Sequence, residues 1–152
     1  ASDDPSLAAR AIGRRRSASG QLMGNVLLPE GRSVAQLVTE AVTNGFREAG
    51  YRVLGSADPG SARAPAIDVV VRRFWTRVEI MGPGLAWEFS SEVWIRAPVP
   101  VFEGGAWVCG KAFASRGGPT PGIWAYTVRR GLEDLVARLR TRLVSGSAPP
   151  YC

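Results

Sequence analysis

Histidine is absent from this chain, and cysteine occurs only twice, as Cys109 and Cys152. Without an imidazole, the chain cannot form a Ser-His-Asp or Cys-His catalytic group or a histidine-ligated metal site. Two cysteines are too few for a structural zinc site, and these two are too far apart for a redox C-x-x-C motif. They could form a disulfide in an oxidising compartment, or remain as one buried thiol and one loose thiol at the C-terminus.

Long hydrophobic runs are also missing. No segment approaches the ~20 consecutive apolar residues that a membrane-spanning helix needs, and we find no signal peptide at the start of the sequence. The 152 residues, 45% of them hydrophobic, suffice for one domain with a single core. We therefore expect one globular domain that needs no metal for its stability.

Lysine is nearly absent as well. Lysine and arginine together number 19, and Lys111 is the one lysine, so 18 are arginines; with 13 acidic residues the net charge is +6. Such an excess is typical of proteins that bind nucleic acid or anionic membranes. The use of arginine instead of lysine, together with abundant glycine and alanine, is also typical of a GC-rich genome. We favour this second interpretation and keep binding by the arginines as the alternative.

Two segments have the periodicity of amphipathic helices. Ser33 and Gln36 have the spacing of a capping box, and Gly50 supplies a left-handed stop, so we predict a helix from Val34 to Ala49. Apolar residues recur every three or four positions between Ile123 and Val144, which predicts a second helix there. Each helix has a single apolar stripe and should cover one face of a sheet.

Five segments have the composition of strands. They are Gln21 to Leu28, Tyr51 to Leu54, Ile67 to Ile80, Leu85 to Ala97 and Ala106 to Ser115. The predicted fold class is α+β, an antiparallel sheet with two helices packed on one face in the order β-α-β-β-β-β-α. We predict an irregular N-terminal arm over residues 1–20, a single domain over 21–144 and a C-terminal tail over 145–152.

The register of the central hairpin can be predicted from its charges. Met81 to Gly84 has the length of a hairpin loop, which pairs Ile80 with Leu85. This register forms two oppositely charged cross-strand pairs, Arg77 with Glu88 and Arg73 with Glu92. Each pair contributes ~0.2–1 kcal/mol, and a slip by one residue would break both.

The same register predicts a polar sheet face that carries tryptophans. Trp75 lies opposite Ser90, and Trp94 lies opposite Val71 on that face, with Trp107 from the next strand beside them. A bulge at Arg72 and Arg73 is the feature that would shift this pairing. Large aromatic residues exposed together often mark protein interfaces, so the three tryptophans are the candidate interface.

No constellation of residues in the sequence points to catalysis. Glu88 and Glu92 are the best-placed carboxylates, but each has an arginine opposite it, and no Walker A motif is present. We expect no enzyme activity, no metal and no cofactor. A basic nucleic-acid-binding module is an alternative that we do not favour, because the glutamates neutralise Arg73 and Arg77 beside the tryptophans.

Several segments resemble a known family. They are Ser33 to Val42, Phe46 to Val53, Ile67 to Val71, Phe74 to Val78 and Gly110 to Phe113. In this order, covering most of residues 3–144, the chain resembles the YajG-like uncharacterised lipoproteins of the Gram-negative envelope. It is similar, more distantly, to auxiliary lipoproteins of envelope lipid-transport systems.

The resemblance implies a non-catalytic periplasmic domain associated with the outer membrane through an N-terminal lipid anchor. The expected partners are envelope proteins, within a large multiprotein complex, for which the domain is a structural or accessory component. The more distant likeness implies the alternative of a lipid-binding pocket. No cysteine lies near Ala1, so either the anchor has been trimmed from this chain or the protein is secreted without one.

Overall fold

A computed structural model describes residues 5–17, 19, 21–118, 120–147 and 152. Its elements are α1 (Pro5–Ala8), β1 (Ala11–Arg16), β2 (Leu22–Leu27), α2 (Val34–Glu48), β3 (Asp68–Met81), β4 (Gly84–Arg96), a 3-10 turn (Pro100–Phe102), β5 (Ala106–Arg116) and α3 (Ile123–Ser145). The fold is α+β, as predicted, with two long helices and one five-stranded sheet. No helix in the described residues is long and apolar enough to cross a membrane.

The sheet is mixed, so the prediction of a purely antiparallel sheet was wrong at one strand. The strand order is β2-β1-β3-β4-β5. Neighbouring strands are antiparallel except β1 and β3, which run parallel and pair at Gly13 and Thr76. A side chain at Gly13 would collide with the Thr76 carbonyl oxygen and with the ring of Trp124 on α3. The absence of a side chain at Gly13 therefore allows the N-terminal hairpin to join the sheet.

The N-terminal segment is more ordered than an irregular arm. Residues 11–16 form β1, which lies between β2 and β3 and contributes Ile12, only 4% exposed, to the core. The predicted strand from Tyr51 to Leu54 does not form. Instead the Tyr51 amide donates to the Phe46 carbonyl oxygen, and Arg47 donates to the Val53 carbonyl oxygen at 3.2 Å. The segment thus continues the end of α2 as an irregular loop.

The central hairpin has the predicted register over most of its length. The structure pairs Ile80 with Leu85, Arg77 with Glu88 and Arg73 with Glu92. A bulge between Val71 and Arg73 then shifts the pairing by one residue, so that Val70 and not Val71 lies opposite Trp94. The bulge also turns Val70 to the same face as Trp94, where it is 56% exposed, whereas an unbroken alternation would place Val70 in the core.

Both long helices pack on one face of the sheet. The capping box of α2 is present, with the Gln36 amide donating to Ser33 Oγ at 3.2 Å and the Ser33 amide donating to Gln36 Oε1 at 3.0 Å. The core between helices and sheet includes fully buried side chains from every layer, Phe46, Phe89, Val93, Ile95, Leu135 and Leu139. The opposite face of the sheet carries the polar and aromatic residues considered below.

The β5 edge of the sheet is closed by side chains of α3. Asp134 Oδ2 accepts the Lys111 amide at 2.8 Å, and the guanidinium of Arg142 donates to the Trp107 carbonyl oxygen. Between these two contacts a disulfide joins Cys109 to Cys152, with their Cα atoms 5.3 Å apart. Burial, and secondarily the charge of Arg138, lowers the pKa of Arg142. Unpaired strand edges promote aggregation, and this edge is protected.

Candidate functional site

The sheet face that α2 and α3 leave uncovered is the candidate site, and we call it the outer face. Strand β4, which lies between β3 and β5, presents Glu88, Ser90, Glu92 and Trp94 on this face, and all four lie opposite residues of β3 and β5. The face combines ion pairs, three half-buried tryptophans and Phe113, which is 59% exposed. It is therefore a mixed aromatic and charged surface.

Two of the predicted tryptophans form one cluster. Trp94 and Trp107 are direct cross-strand partners, and their ring centroids lie 5.4 Å apart in an edge-on arrangement. The guanidinium carbon of Arg72 lies 4.0 Å from the centroid of the Trp107 ring, and Arg72 Nε lies 2.6 Å from Glu92 Oε2. We call Arg72, Glu92, Trp94 and Trp107 the Trp–Arg cluster. Arg72 contacts both the face of the Trp107 ring and the carboxylate of Glu92, and these two contacts fix the orientation of its guanidinium group.

The predicted ion pair between Arg73 and Glu92 does not form. The two residues face each other across the strands, but the bulge residue Arg72 reaches Glu92 instead. Within the part of the chain that the structure describes, Arg73 has no ion pair, and it is exposed. The pair Arg77 and Glu88 does form at 3.0 Å, and Arg77 also contacts Glu79 at 3.2 Å. These pairs are exposed, so each stabilises the fold by less than ~1 kcal/mol.

Trp75 lies apart from the Trp–Arg cluster. Its cross-strand partner is Ser90, which precedes Trp94 by four positions on β4, or about 14 Å along the strand. Trp75 instead borders a groove between β1 and β3. The three predicted interface residues are thus divided between two neighbouring areas of the outer face.

Sequence reasoning missed two residues that build the Trp–Arg cluster. Arg72 enters it only because of the bulge, and an Arg-Arg pair gives no indication of which arginine a bulge will turn toward the partner strand. Gly105 packs directly against Trp94, where any side chain would overlap the indole ring, and it has a φ of 82°. Its position just before β5, after the turn that follows Pro100, is the signal that could have drawn attention to it.

A second concave area lies under the irregular loop that follows α2. It has a volume of about 570 Å³, within the ~300–1,000 Å³ typical of small-molecule pockets. Its apolar lining comes from α2, the loop, the start of β3 and the segment after β4, and includes Val42, Phe46, Val53, Leu54, Ile67, Val69 and Val99. Arg52 is the one charged residue among the described residues that line it. We call it the loop pocket.

In the part of the chain that the structure describes, no three cysteine, aspartate or glutamate side chains come close enough to hold a metal ion. The outer face offers aromatic surface that a ligand can bury and charged groups of fixed orientation that can form ion pairs. Comparison of the chain with protein-family models, with curated proteins and with solved structures finds no match.

Proposed function

We propose that this domain is a non-catalytic, protein-binding accessory component of a bacterial envelope assembly, and that the Trp–Arg cluster is the centre of its binding surface. Tryptophan and arginine are the residues most enriched at the energetic centres of protein interfaces. Trp94, Trp107 and Arg72 are held in place by each other and by Glu92. Little side-chain entropy then remains to be lost when a partner binds.

The charges around the cluster favour a protein over a nucleic acid. The Trp–Arg cluster itself is neutral, because Arg72 contacts Glu92, and Arg77 contacts Glu88 farther along the same face. A nucleic-acid site needs an excess of positive charge toward the phosphates. Neutral aromatic surface with paired charges is instead typical of protein interfaces.

The disulfide supports the proposed location in the periplasm. Disulfides form and persist in oxidising compartments such as the bacterial periplasm and are rare in the cytosol. The Cys109–Cys152 bridge lies at the edge of the same sheet as the Trp–Arg cluster. Association with the outer membrane through a lipid anchor is part of the proposal and comes from the resemblance to YajG-like lipoproteins.

Capture of partners from a detergent-solubilised envelope fraction tests the proposal. The wild-type domain should retain a defined protein, identified by mass spectrometry and then measured with the purified partner. Trp94→Ala with Trp107→Ala should weaken that binding at least about tenfold, because truncating such anchors removes 2 kcal/mol or more. Tyr126→Ala removes an exposed aromatic from α3 and should bind as wild type. Equal binding by both variants, with unchanged melting temperatures, would refute the proposal.

The loop pocket favours a second function, binding of a lipid or another single-chain amphiphile. Its apolar lining and its volume suit an acyl chain, and Arg52 is positioned to contact an anionic head group. Native mass spectrometry of protein purified without detergent should then detect a bound amphiphile. Val42→Trp fills the pocket and should abolish that signal, whereas Val144→Trp, at a position 72% exposed, should not. A wild-type protein that binds neither fatty acid nor lysophospholipid would exclude this function.

A further inference from the structure

The edge of β3 that faces β1 is paired along only part of its length. The ladder between the two strands consists, in the described residues, of the single pair Gly13 and Thr76. β3 begins at Asp68, so its residues from Asp68 to Trp75 have strand partners on the β4 side alone. The chain before β1 turns away from β3, and the Val34 amide donates to the Ala9 carbonyl oxygen at 3.0 Å. This part of β3 is thus an edge strand within the sheet.

A groove of about 1090 Å³ lies along this unpaired edge, and we call it the β1–β3 groove. One wall is β3 from Val71 to Trp75, and the other is formed by the residues around α1, the start of α2, and the β1–β2 hairpin. Small and aliphatic side chains form much of its lining, including Leu7, Ala8, Ala9, Ala11, Met23, Val34, Ala35 and Val71. Its shape and lining suit an extended chain with apolar side chains on one side.

The charges of the β1–β3 groove all have the same sign. Arg14, Arg72 and Arg73 line it, and no aspartate or glutamate does among the described residues. Arg72 is held by Glu92, but Arg14 Nε donates only to the neutral Asn25 Oδ1, at 3.2 Å, and Arg73 has no ion pair in the described part of the chain. Two guanidinium groups beside an unpaired strand edge are therefore available for carboxylates of a ligand.

We propose that the β1–β3 groove binds an extended acidic segment of the partner protein, which adds as a strand to the Asp68–Arg73 edge of β3. Main-chain hydrogen bonds to the free edge supply affinity, and alternate side chains supply specificity, as in other cases of strand addition. Carboxylates of the segment pair with Arg14 and Arg73, and its apolar side chains contact Val71 and Met23. The inference rests on the proposed function, because it names the chemistry of that partner.

The lining favours a polypeptide over a nucleic acid. Single-stranded nucleic acids bind grooves in which successive bases stack on aromatic rings. Here the aromatic residues are Phe74, which is 7% exposed and belongs to the core, and Trp75 at one end. Aliphatic lining beside unpaired backbone groups instead matches the alternating side chains and the hydrogen-bonding pattern of a β-strand.

A labelled peptide of alternating glutamate and valine, about eight residues long, is the probe that tests the charge requirement. We expect its binding to the purified full chain, measured by fluorescence anisotropy, to weaken several-fold when the salt concentration rises from about 50 to about 300 mM. Arg73→Glu and Arg14→Glu should each weaken it at least about tenfold, and Arg73→Gln by less. Arg140→Glu changes an exposed arginine of α3 and should leave it unchanged. A peptide with lysine in place of glutamate should not bind.

N-methylation of the same peptide tests the strand addition. Amides that pair with a neighbouring strand alternate with amides that point away from it. Methylating one alternate set of residues should therefore abolish binding, and methylating the other set should preserve it. Equal binding by both methylated peptides, or no dependence on Arg73 and Arg14, would overturn the inference. Binding of a thymidine oligonucleotide with that arginine dependence, without binding of the peptide, would overturn it in favour of a nucleic acid.

Two further measurements separate this inference from the proposed function. The variant with Trp94→Ala and Trp107→Ala keeps Arg14, Arg73 and the backbone of the β3 edge, which are the groups that the peptide needs, so it should bind the peptide within about twofold of wild type. If the peptide does not bind while the Trp–Arg cluster still captures a partner, the inference is refuted and the proposed function is retained. If the peptide does not bind and no partner is captured, both the inference and the proposed function are refuted. Melting temperatures within about 2 °C of wild type establish that each variant is folded.

Discussion

At the scale of single residues, the parallel junction between β1 and β3 contains a buried hydroxyl with no partner. Thr76 is fully buried, and its Oγ1 makes no hydrogen bond with any described protein atom. An unsatisfied buried polar group destabilises a protein by ~1–3 kcal/mol. The hydroxyl is therefore a local weakness at the position where the N-terminal hairpin meets the sheet.

Thr76→Val should for this reason stabilise the protein. Valine has nearly the same volume and β propensity as threonine but no hydroxyl, so we expect the free energy of unfolding to rise by about 1 kcal/mol and the melting temperature by a few degrees. Urea unfolding followed by circular dichroism would measure it. Thr127→Val is the matched control, because the Thr127 hydroxyl is equally buried but donates to the Ile123 carbonyl oxygen at 2.7 Å. A higher free energy of unfolding in both variants, or in neither of them, would contradict this explanation.

At the scale of elements, α3 protects the β5 edge through specific side chains. Asp134 accepts the Lys111 amide, and Arg138 also donates to Asp134, at 2.9 Å. Asp134→Ala should leave that backbone amide without its partner, destabilise the protein by about 1 kcal/mol and promote self-association of the exposed strand. Asp134→Asn keeps an oxygen that can accept the amide and should remain monomeric. Sedimentation velocity at increasing concentration would distinguish the two, and equal behaviour would show that the contact has no protective role.

The disulfide at the same edge stabilises the fold because it restricts the conformations of the unfolded chain. The bridge joins residues with a sequence separation of 43, and the chain-entropy relation gives about 4 kcal/mol of stabilisation for such a loop. We expect reducing agent to lower the free energy of unfolding by roughly 2–4 kcal/mol. The variant with Cys109→Ser and Cys152→Ser should have the lower free energy of unfolding from the outset, and reductant should not change it. A reductant effect of the same size in that variant would contradict the prediction.

The elements that could be predicted from sequence are those with strong local signals. The capping box at Ser33 and Gln36 and the register of the β3–β4 hairpin between Arg73 and Ile80 are determined by short segments, and the structure has both. β1 was missed because its sequence from Ala11 to Arg16 buries only Ile12 and Gly13, and its partner strand β3 is distant in sequence. At the candidate site, the tryptophans could be predicted from the alternation of side chains along the strands. Arg72, Gly105 and the β1–β3 groove could not, because they depend on the bulge and on contacts between segments that are distant in sequence.

At the scale of the whole molecule, the absence of histidine predicts a stability that is nearly independent of pH around neutrality. No histidine is present to change charge between pH 5.5 and 7, and the two cysteines are joined in a disulfide. The lowered pKa of Arg142 acts in alkaline solution: its buried charge opposes folding at all lower pH values and adds no slope near neutrality.

We therefore expect the free energy of unfolding to change by less than about 0.5 kcal/mol between pH 5.5 and 7. Chemical denaturation in buffers of constant ionic strength would measure it. A change approaching 1.4 kcal/mol per pH unit would correspond to one proton bound differently by the folded and unfolded states. Such a slope would contradict the prediction and would point to a carboxylate that the fold keeps protonated.

The parallel pairing of Gly13 with Thr76 has a consequence for the folding of a chain that emerges from its N-terminus. The β1–β2 hairpin appears before α2 and long before β3, and a two-stranded hairpin alone is only marginally stable. It therefore has no sheet to join until β3 emerges, whereas β3, β4 and β5 can pair in order as they appear. We expect the hairpin to remain undocked at least until β3 has emerged, and the incomplete chain to present the whole β3 edge to chaperones until the hairpin docks.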